Sequence, residues 1–338
     1  MFSISTRADV ARRAKVSVAT VSYVLNNTKG VSISPATCRR VLRAARDLKY
    51  TRHRMAANLA RGRTRNIGVV IGELTNSFWA AILEGIEGEC IRSDYRVALA
   101  LGSTIEAISE KVRLLWEQRV EGLIVLADCL KNNFLREASA SIPVVFFDDL
   151  RKVERIDYIL SSDISGAVAA VTHLIRQGHR RIAYIAGVPH PTPARERKEG
   201  YLTALRQAGI AVDSTLIRGH TWEAAHVPPL VHKLLECPNP PTAFFAASDY
   251  LAAGVLQAAL ERGLRVPGDL AVAGYGNTET GRMMNITTVD QSAGEMGRLA
   301  VQCVMERWQN PKLKAREIRV PTQLVIRRST DRLNQGRT

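Results

Sequence analysis

From Ile67 onward the chain alternates short β-branched runs with amphipathic helical stretches, and this rhythm limits the fold more than any other feature. Strand-like runs lie at Ile67–Ile71, Val97–Leu101, Gly122–Leu126, Pro143–Phe147, Ile182–Ala186, Ala243–Ala246 and Ala271–Tyr275. Helical patterns lie between them, around Ala80–Ile91, Ile108–Arg119, Gly166–Arg176, Glu196–Ala208, Val227–Leu235, Tyr250–Arg262 and Gly294–Trp308. Continuous apolar strands separated by helix-length crossovers predict parallel sheets buried on both faces. The length of the stretch favours two doubly wound lobes over one. In such folds ligands sit at the carboxyl ends of strands or in a cleft between lobes.

The first 66 residues follow another pattern. Thr6-Arg7-Ala8-Asp9 reads as a capping box, followed by an apolar stripe of Val10, Ala11 and Ala14. Ser17 is a candidate N-cap for a second helix with Val21, Val24 and Leu25 on one face, and Ser34-Pro35 opens a third with Val41, Ala45 and Leu48 inward. Only Lys15 and Val16 separate the first two helices, which is helix-turn-helix spacing. Residues 52–66 lack a core pattern and read as a linker with a short helix through Leu59.

Charge sorts the same way. Residues 1–66 carry 15 Lys and Arg against only Asp9 and Asp47, a net of +13 out of the chain's +15. A basic module therefore precedes a nearly neutral body. Its expected partner is the DNA backbone, with an anionic membrane surface second. The five cysteines, Cys38, Cys90, Cys129, Cys237 and Cys303, are far apart and form no C-x-x-C pair. That excludes a disulfide framework and a zinc ribbon, and suits a reducing compartment. MFSISTRADV lacks a signal-like apolar core and no run approaches the ~20 apolar residues of a membrane span, so a cytoplasmic location without a membrane partner is expected.

The stretch Asp9-Val10-Ala11-x-x-Ala14-x-Val16-Ser17-x-x-Thr20-Val21-Ser22-x-x-Leu25-Asn26 closely resembles the N-terminal signature of the LacI/GalR family of bacterial helix-turn-helix regulators. Ala56-x-x-Leu59 with Ile67-Gly68 resembles that family's hinge helix and first core strand. Gln177-Gly178-His179-Arg180-Arg181-Ile182, Arg197-x-x-Gly200-Tyr201, Gly263-Leu264-Arg265-Val266-Pro267 and Thr287-Thr288-Val289-Asp290-Gln291 follow in the family's order, so the likeness covers residues 6–328. It implies an α/β protein with an N-terminal all-α helix-turn-helix domain and a two-lobed body like periplasmic binding proteins. The boundaries expected are 1–51 for the DNA-binding domain, 52–66 for the hinge and 67–330 for the effector and dimerisation domain. One lobe would comprise 67–162 with 291–320, the other 163–290 with 321–330.

The resemblance implies a sequence-specific regulator, most simply a repressor, acting as a homodimer on a pseudo-palindromic double-stranded operator. Val18, Ala19 and Tyr23 would face base edges. Ser17, Thr20, Ser22 and Asn26 would approach phosphates, and Ala56 and Leu59 would enter the minor groove. Two departures stand out: Lys15 replaces the usual turn glycine, and Tyr23 stands where many members carry arginine. The tail beyond Val325 has no leucine heptads, so a dimer rather than a tail-built tetramer is expected.

For the small-molecule effector, a sugar or sugar acid, the resemblance implies Phe78, Trp79, Asp148, Arg197, Trp222, Ser248 and Asn277. Alternatives stand beside several of these: Phe78 and Trp79 as core, Asp148 beside Asp149 as a solvated loop, Arg197 as a lobe–lobe ion pair. Gly276 falls where sugar-binding members carry an aspartate, Thr221 occupies the stacking position with Trp222 next to it, and Pro191 replaces a purine-binding arginine. An arginine with one fewer carboxylate favours an acid over a plain hexose. No cofactor or metal is expected. Gly274-x-Gly276 lacks a third glycine and an adjoining helix, and the chain has no nucleophile elbow, zinc-binding His-Glu-x-x-His or P-loop, so no enzyme is expected.

Overall fold

The computed structural model describes residues 5–26, 28, 30–50, 63–72, 77–127, 132–147, 153–188, 192–219 and 221–331. They fall into two compact units, Met1–Thr64 and Arg65–Thr338.

In the first unit, α1 (Arg7–Ala14), α2 (Val18–Asn26) and α3 (Pro35–Asp47) enclose Val10, Ala11, Ala14, Val21, Val41 and Ala44. The capping box forms as the sequence requires: Asp9 N donates to Thr6 Oγ1 at 3.3 Å and Thr6 N donates to Asp9 Oδ2 at 2.9 Å. Thr6's side-chain and backbone donors hold the Asp9 carboxyl below its ordinary range, against a small opposing effect of burial. Lys15 adopts φ 52°, ψ 52°, the left-handed conformation that glycine takes without cost, so the turn is built with a side chain pointing outward.

The second unit holds two parallel sheets. β1 (Asn66–Ile71), β2 (Arg96–Leu101), β3 (Leu123–Leu126), β4 (Val144–Phe146), β5 (Ile156–Ser161) and β11 (Glu317–Val320) form the first, in the order β11-β5-β4-β3-β1-β2. The second runs β7-β6-β8-β9, from Ile217–Arg218, Ile182–Ile185, Ala243–Ala246 and Ala271–Ala273. β10 (Thr288–Asp290) and β12 (Gln323–Val325) make a short antiparallel ladder between the crossing segments.

Helices cover both sheets. α4 (Ser77–Arg92) and α12 (Ala293–Gln309) pack against one face of the first, α5 (Ile105–Glu117) and α6 (Asn132–Ser141) against the other. α7 (Asp163–Arg176), α8 (Thr192–Gln207), α9 (Val227–Leu235) and α10 (Asp249–Glu261) enclose the second sheet, with α11 (Glu279–Met283) beside α10.

β5, β7, β10, β11 and β12 carry too little continuous apolar sequence to have been read as strands. β5 shows the reason. It is buried at every position, yet Asp157 interrupts its apolar run. That carboxylate accepts from Arg307 Nη2 at 2.5 Å and Arg316 Nη2 at 2.9 Å, from residues far away in sequence. Burial alone would push the Asp157 carboxyl up, but the two guanidiniums outweigh it and hold it below the ordinary range.

Candidate DNA-reading face and interlobe pocket

α2 buries Val21 and half-buries Val24 and Leu25, which turns Val18, Ala19 and Tyr23 outward. Val18 is 48% and Tyr23 41% exposed, unusual for large apolar side chains on a nine-residue helix. Ser17 caps the helix, accepting from Thr20 N at 3.1 Å, and its hydroxyl lies 2.9 Å from that of Thr20. Asn26 Nδ2 donates to Ser22 Oγ at 3.0 Å, so this pair forms a half-buried polar edge beside the exposed face. Ala56 and Leu59 lie outside the described residues.

In the second unit a cavity of about 410 Å³ opens between the lobes at the carboxyl ends of their strands. Phe78 and Trp79, at the start of α4, line one wall, with their ring centroids 5.3 Å apart. Trp79 also meets Phe147 edge-on and is buried, so it serves both core and wall. Trp222 lines the opposite lobe. It lies against the backbone at Gly187, where a Cβ would stand 2.4 Å from the indole, so only glycine leaves the ring where it is.

Arg197, on α8, reaches the cavity almost fully enclosed. Its Nε donates to Asp163 Oδ1 at 3.3 Å and its Nη1 to the Ala247 carbonyl at 2.7 Å, while the guanidinium lies 4.1 Å above the Tyr275 ring. Burial opposes the charge, but Asp163 and the electron-rich tyrosines outweigh it and raise the guanidinium's affinity for its proton. Among the described residues Nη2 has no hydrogen-bond partner. Arg197 is therefore ion-paired within its own lobe rather than across the two lobes, and it also lines the cavity.

Ser248 lines the cavity and caps α10, accepting from Leu251 N at 3.2 Å. Asn277 is a correction. It does not line the cavity: Nδ2 donates to Asp290 Oδ2 at 2.9 Å, and Oδ1 accepts from Arg327 Nη2 at 2.5 Å. The residue clasps the crossing segments because a carboxylate holds its amide nitrogen and an arginine holds its amide oxygen. Asp148 and Pro191 lie outside the described residues. Thr221 does not line the cavity; Trp222 does.

Sequence reading missed Ser161, Tyr250, Tyr275, Thr278, Thr280 and Gln291, which supply most of the remaining polar lining. Thr278 is held in place by Asp249, which has no exposure and accepts from Thr278 N at 2.7 Å and Thr278 Oγ1 at 2.9 Å. Burial pushes the Asp249 carboxyl up despite these threonine donors. Gln291 Nε2 donates to Ser161 Oγ, and Ser161 Oγ donates to Asp163 Oδ1, linking both lobes to the arginine. The usable signal was Thr287-Thr288-Val289-Asp290-Gln291, which placed Gln291 in a motif without revealing its direction.

A small three-helix unit with an exposed reading helix, joined in one chain to a two-lobed body with an enclosed polar–aromatic cavity, defines a ligand-responsive DNA-binding regulator. Residues 6–53 match the bacterial regulatory proteins of the lacI family, and residues 171–330 match a periplasmic binding protein-like domain. The chain is 31% identical to the HTH-type transcriptional repressor PurR of Vibrio atlanticus (strain LGP32), covering 98% of this chain and all of the relative. It is also 31% identical to the ribose operon repressor of Haemophilus influenzae, over 96% of this chain and 98% of that one. Among solved structures, the lac repressor dimer bound to operator and the anti-inducer ONPF superposes with a TM-score of 0.83 at 29% identity, over 97% of this chain and 99% of that one. A complex of the transcriptional regulator CelR with cellobiose gives 0.72 at 29% identity, over 96% and 99%. The chain belongs to the LacI family of bacterial regulatory proteins, and it is a DNA-binding transcriptional regulator rather than an enzyme. Among the described residues no helix is long and apolar enough to cross a membrane.

Proposed function

We propose that this chain is a cytoplasmic repressor that binds a pseudo-palindromic operator as a homodimer and is controlled by a polyhydroxylated small molecule held between the lobes. The observation that carries the effector reading is the cavity itself. Aromatic side chains from both lobes, Phe78 and Trp222 foremost, line it together with many hydroxyls and Arg197. Apolar ring faces of a sugar suit the aromatics, and its hydroxyls suit Ser248, Tyr250, Thr278, Thr280 and the open Nη2 of Arg197.

Asp163 changes the charge argument drawn from sequence. Arg197 is already neutralised behind the cavity, and exposed Glu223 lines its rim. A neutral sugar therefore fits better than a sugar acid. On the DNA side, Val18, Ala19 and Tyr23 are the proposed base-reading side chains, with Ser17, Thr20, Ser22 and Asn26 beside the backbone.

The homodimer reading rests on symmetry, since one reading helix covers one half-site, and on the open edge of the first sheet. There β2 presents exposed Leu99 and Leu101, whereas the opposite edge, β11, carries Glu317 and Arg319. A second copy on β2 covers an edge that would otherwise invite nonspecific pairing.

The test combines operator selection from random DNA with calorimetric titration of hexoses, pentoses and their aldonic acids. Expected are one palindromic motif, a neutral sugar binding more tightly than its acid, and a change in operator affinity on binding it. Selection of no motif refutes the DNA reading; tighter binding of every acid refutes the neutral-ligand reading.

A further inference from the structure

The recognition helix α2, VATVSYVLN, carries no charged residue, so the first unit's positive charge lies elsewhere. Much of it is on α3, where Arg39, Arg43 and Arg46 fall at i, i+4 and i+7 and are all exposed. The buried residues of that helix, Val41 and Ala44, with half-buried Ala45 and Leu48, lie on the opposite side. Among the described residues no carboxylate pairs with any of the three. Asp47, the sole acid of α3, stands 4.0 Å from Arg13.

The second unit treats many of its surface arginines differently. Arg92 pairs with Glu89, Arg206 with Glu199, Arg262 with Glu236 and Arg298 with Glu295. An unpaired arginine stripe is thus a local feature of α3. The three side chains span about 10 Å of helix, and a duplex presents about six phosphate charges over that length.

We propose that Arg39, Arg43 and Arg46 bind the phosphate backbone of a second DNA segment, distinct from the one whose groove α2 reads. α2 buries Val21 and α3 buries Val41 and Ala44 in one shared core, so the arginine stripe of α3 and the Val18, Ala19 and Tyr23 face of α2 are separate exposed faces, each able to take its own duplex. The contact is sequence-independent, because guanidiniums aimed at phosphates carry no base information. It lets the protein hold an incoming duplex before releasing the first. The proposal rests on the reading of the first unit as DNA-binding.

The experiment follows dissociation of a labelled random-sequence duplex from the full chain, chased with rising concentrations of the same unlabelled duplex. In the wild-type chain the rate rises with chase concentration at 50 mM salt, and this dependence weakens about 40-fold at 200 mM, the loss expected for three neutralised phosphates. R39Q/R43Q/R46Q loses the dependence while keeping its affinity for the first duplex, and R39K/R43K/R46K retains it. Circular dichroism confirms that α3 still folds; if the glutamine triple does not, the single R43E reads the same effect. A glutamine variant with wild-type chase dependence overturns the proposal. So does one whose first-duplex affinity falls with a shallower salt slope, since the stripe then belongs to the α2 interface. A wild-type chain that retains no duplex at 50 mM salt instead refutes the DNA-binding reading itself.

Discussion

Arg197→Ala is expected to unfold the second unit more readily before it says anything about ligand. The substitution removes the partner of Asp163, and the two side chains are only 7% and 2% exposed. Among the described residues, what remains for that carboxylate is neutral donors, Ser161 Oγ at 2.9 Å foremost. The Ala247 carbonyl loses its donor and Tyr275 loses the cation over its ring. Breaking a buried ion pair by deleting one partner costs about 3–5 kcal/mol. At about 2–4 °C per kcal/mol for a domain of this size, the melting temperature should fall by roughly 10 °C.

The companion variant separates charge from packing. Asp163→Asn with Arg197→Met removes both charges at similar volume. Replacing a buried pair by uncharged groups is often nearly neutral, so the double variant should be more stable than the single by about 2 kcal/mol or more. Urea and thermal melts followed by circular dichroism on the full chain read both values. A single variant melting within about 2 °C of wild type, or a double variant below the single, would show that Asp163 is satisfied without Arg197. An Arg197→Ala titration read without this control would mistake lost folding for lost recognition.

Gly187→Ala should push Trp222 off its backbone rest, because the new Cβ meets the indole at 2.4 Å. Expected are weaker sugar binding in calorimetry, a shifted tryptophan emission and unchanged binding to random DNA. Stability should fall as pH drops, in two windows. His173 is held below its ordinary pKa by burial, reinforced by Arg176 against Asp331, so the unfolded chain binds more protons, and stability is lost as pH falls through about 6.5. Asp157, held low by Arg316 and Arg307 despite burial, adds a second loss below about pH 4. Melting temperatures flat from pH 7 to 3 would contradict both. Burial, helped by nearby carboxylates, raises the Cys90 thiol to about 12, and burial also brings Cys303 to about 12. Both should stay silent to an aromatic disulfide reagent at pH 8 while exposed Cys237 reacts, and mass spectrometry of the labelled peptides checks this.

Local chemistry was legible in the sequence. Thr6 with Asp9, Ser17 before α2 and Ser34-Pro35 before α3 each act within four residues, and each cap forms where the spacing puts it. Apolar runs buried on both faces were legible for the same reason, which is why β1, β3, β4, β6 and β8 were read and β5 was not. The polar residue in β5 is paid for by arginines about 150 positions later, and no window along the chain contains both.

The same distance limit governs the pocket. Aromatic residues could be placed because Phe78 and Trp79 occupy positions that a family resemblance marks and Trp222 stands one residue beyond such a position. Charge could not, because the net charge of a pocket is set by what stands behind each lining residue. Sequence left Arg197 open between a ligand donor and a lobe–lobe ion pair and named no partner; Asp163, 34 residues earlier and in the same lobe, lies against its Nε. Asn277 read as a ligand contact until Asp290 and Arg327 were seen to occupy its amide. In both cases the residue type fitted the proposed chemistry and the partner decided whether that chemistry was available. The exposed arginines of α3 are the converse case. Among the described residues no carboxylate pairs with them, so their charge is available to a partner from outside, and the salt dependence of a second duplex is where it should show.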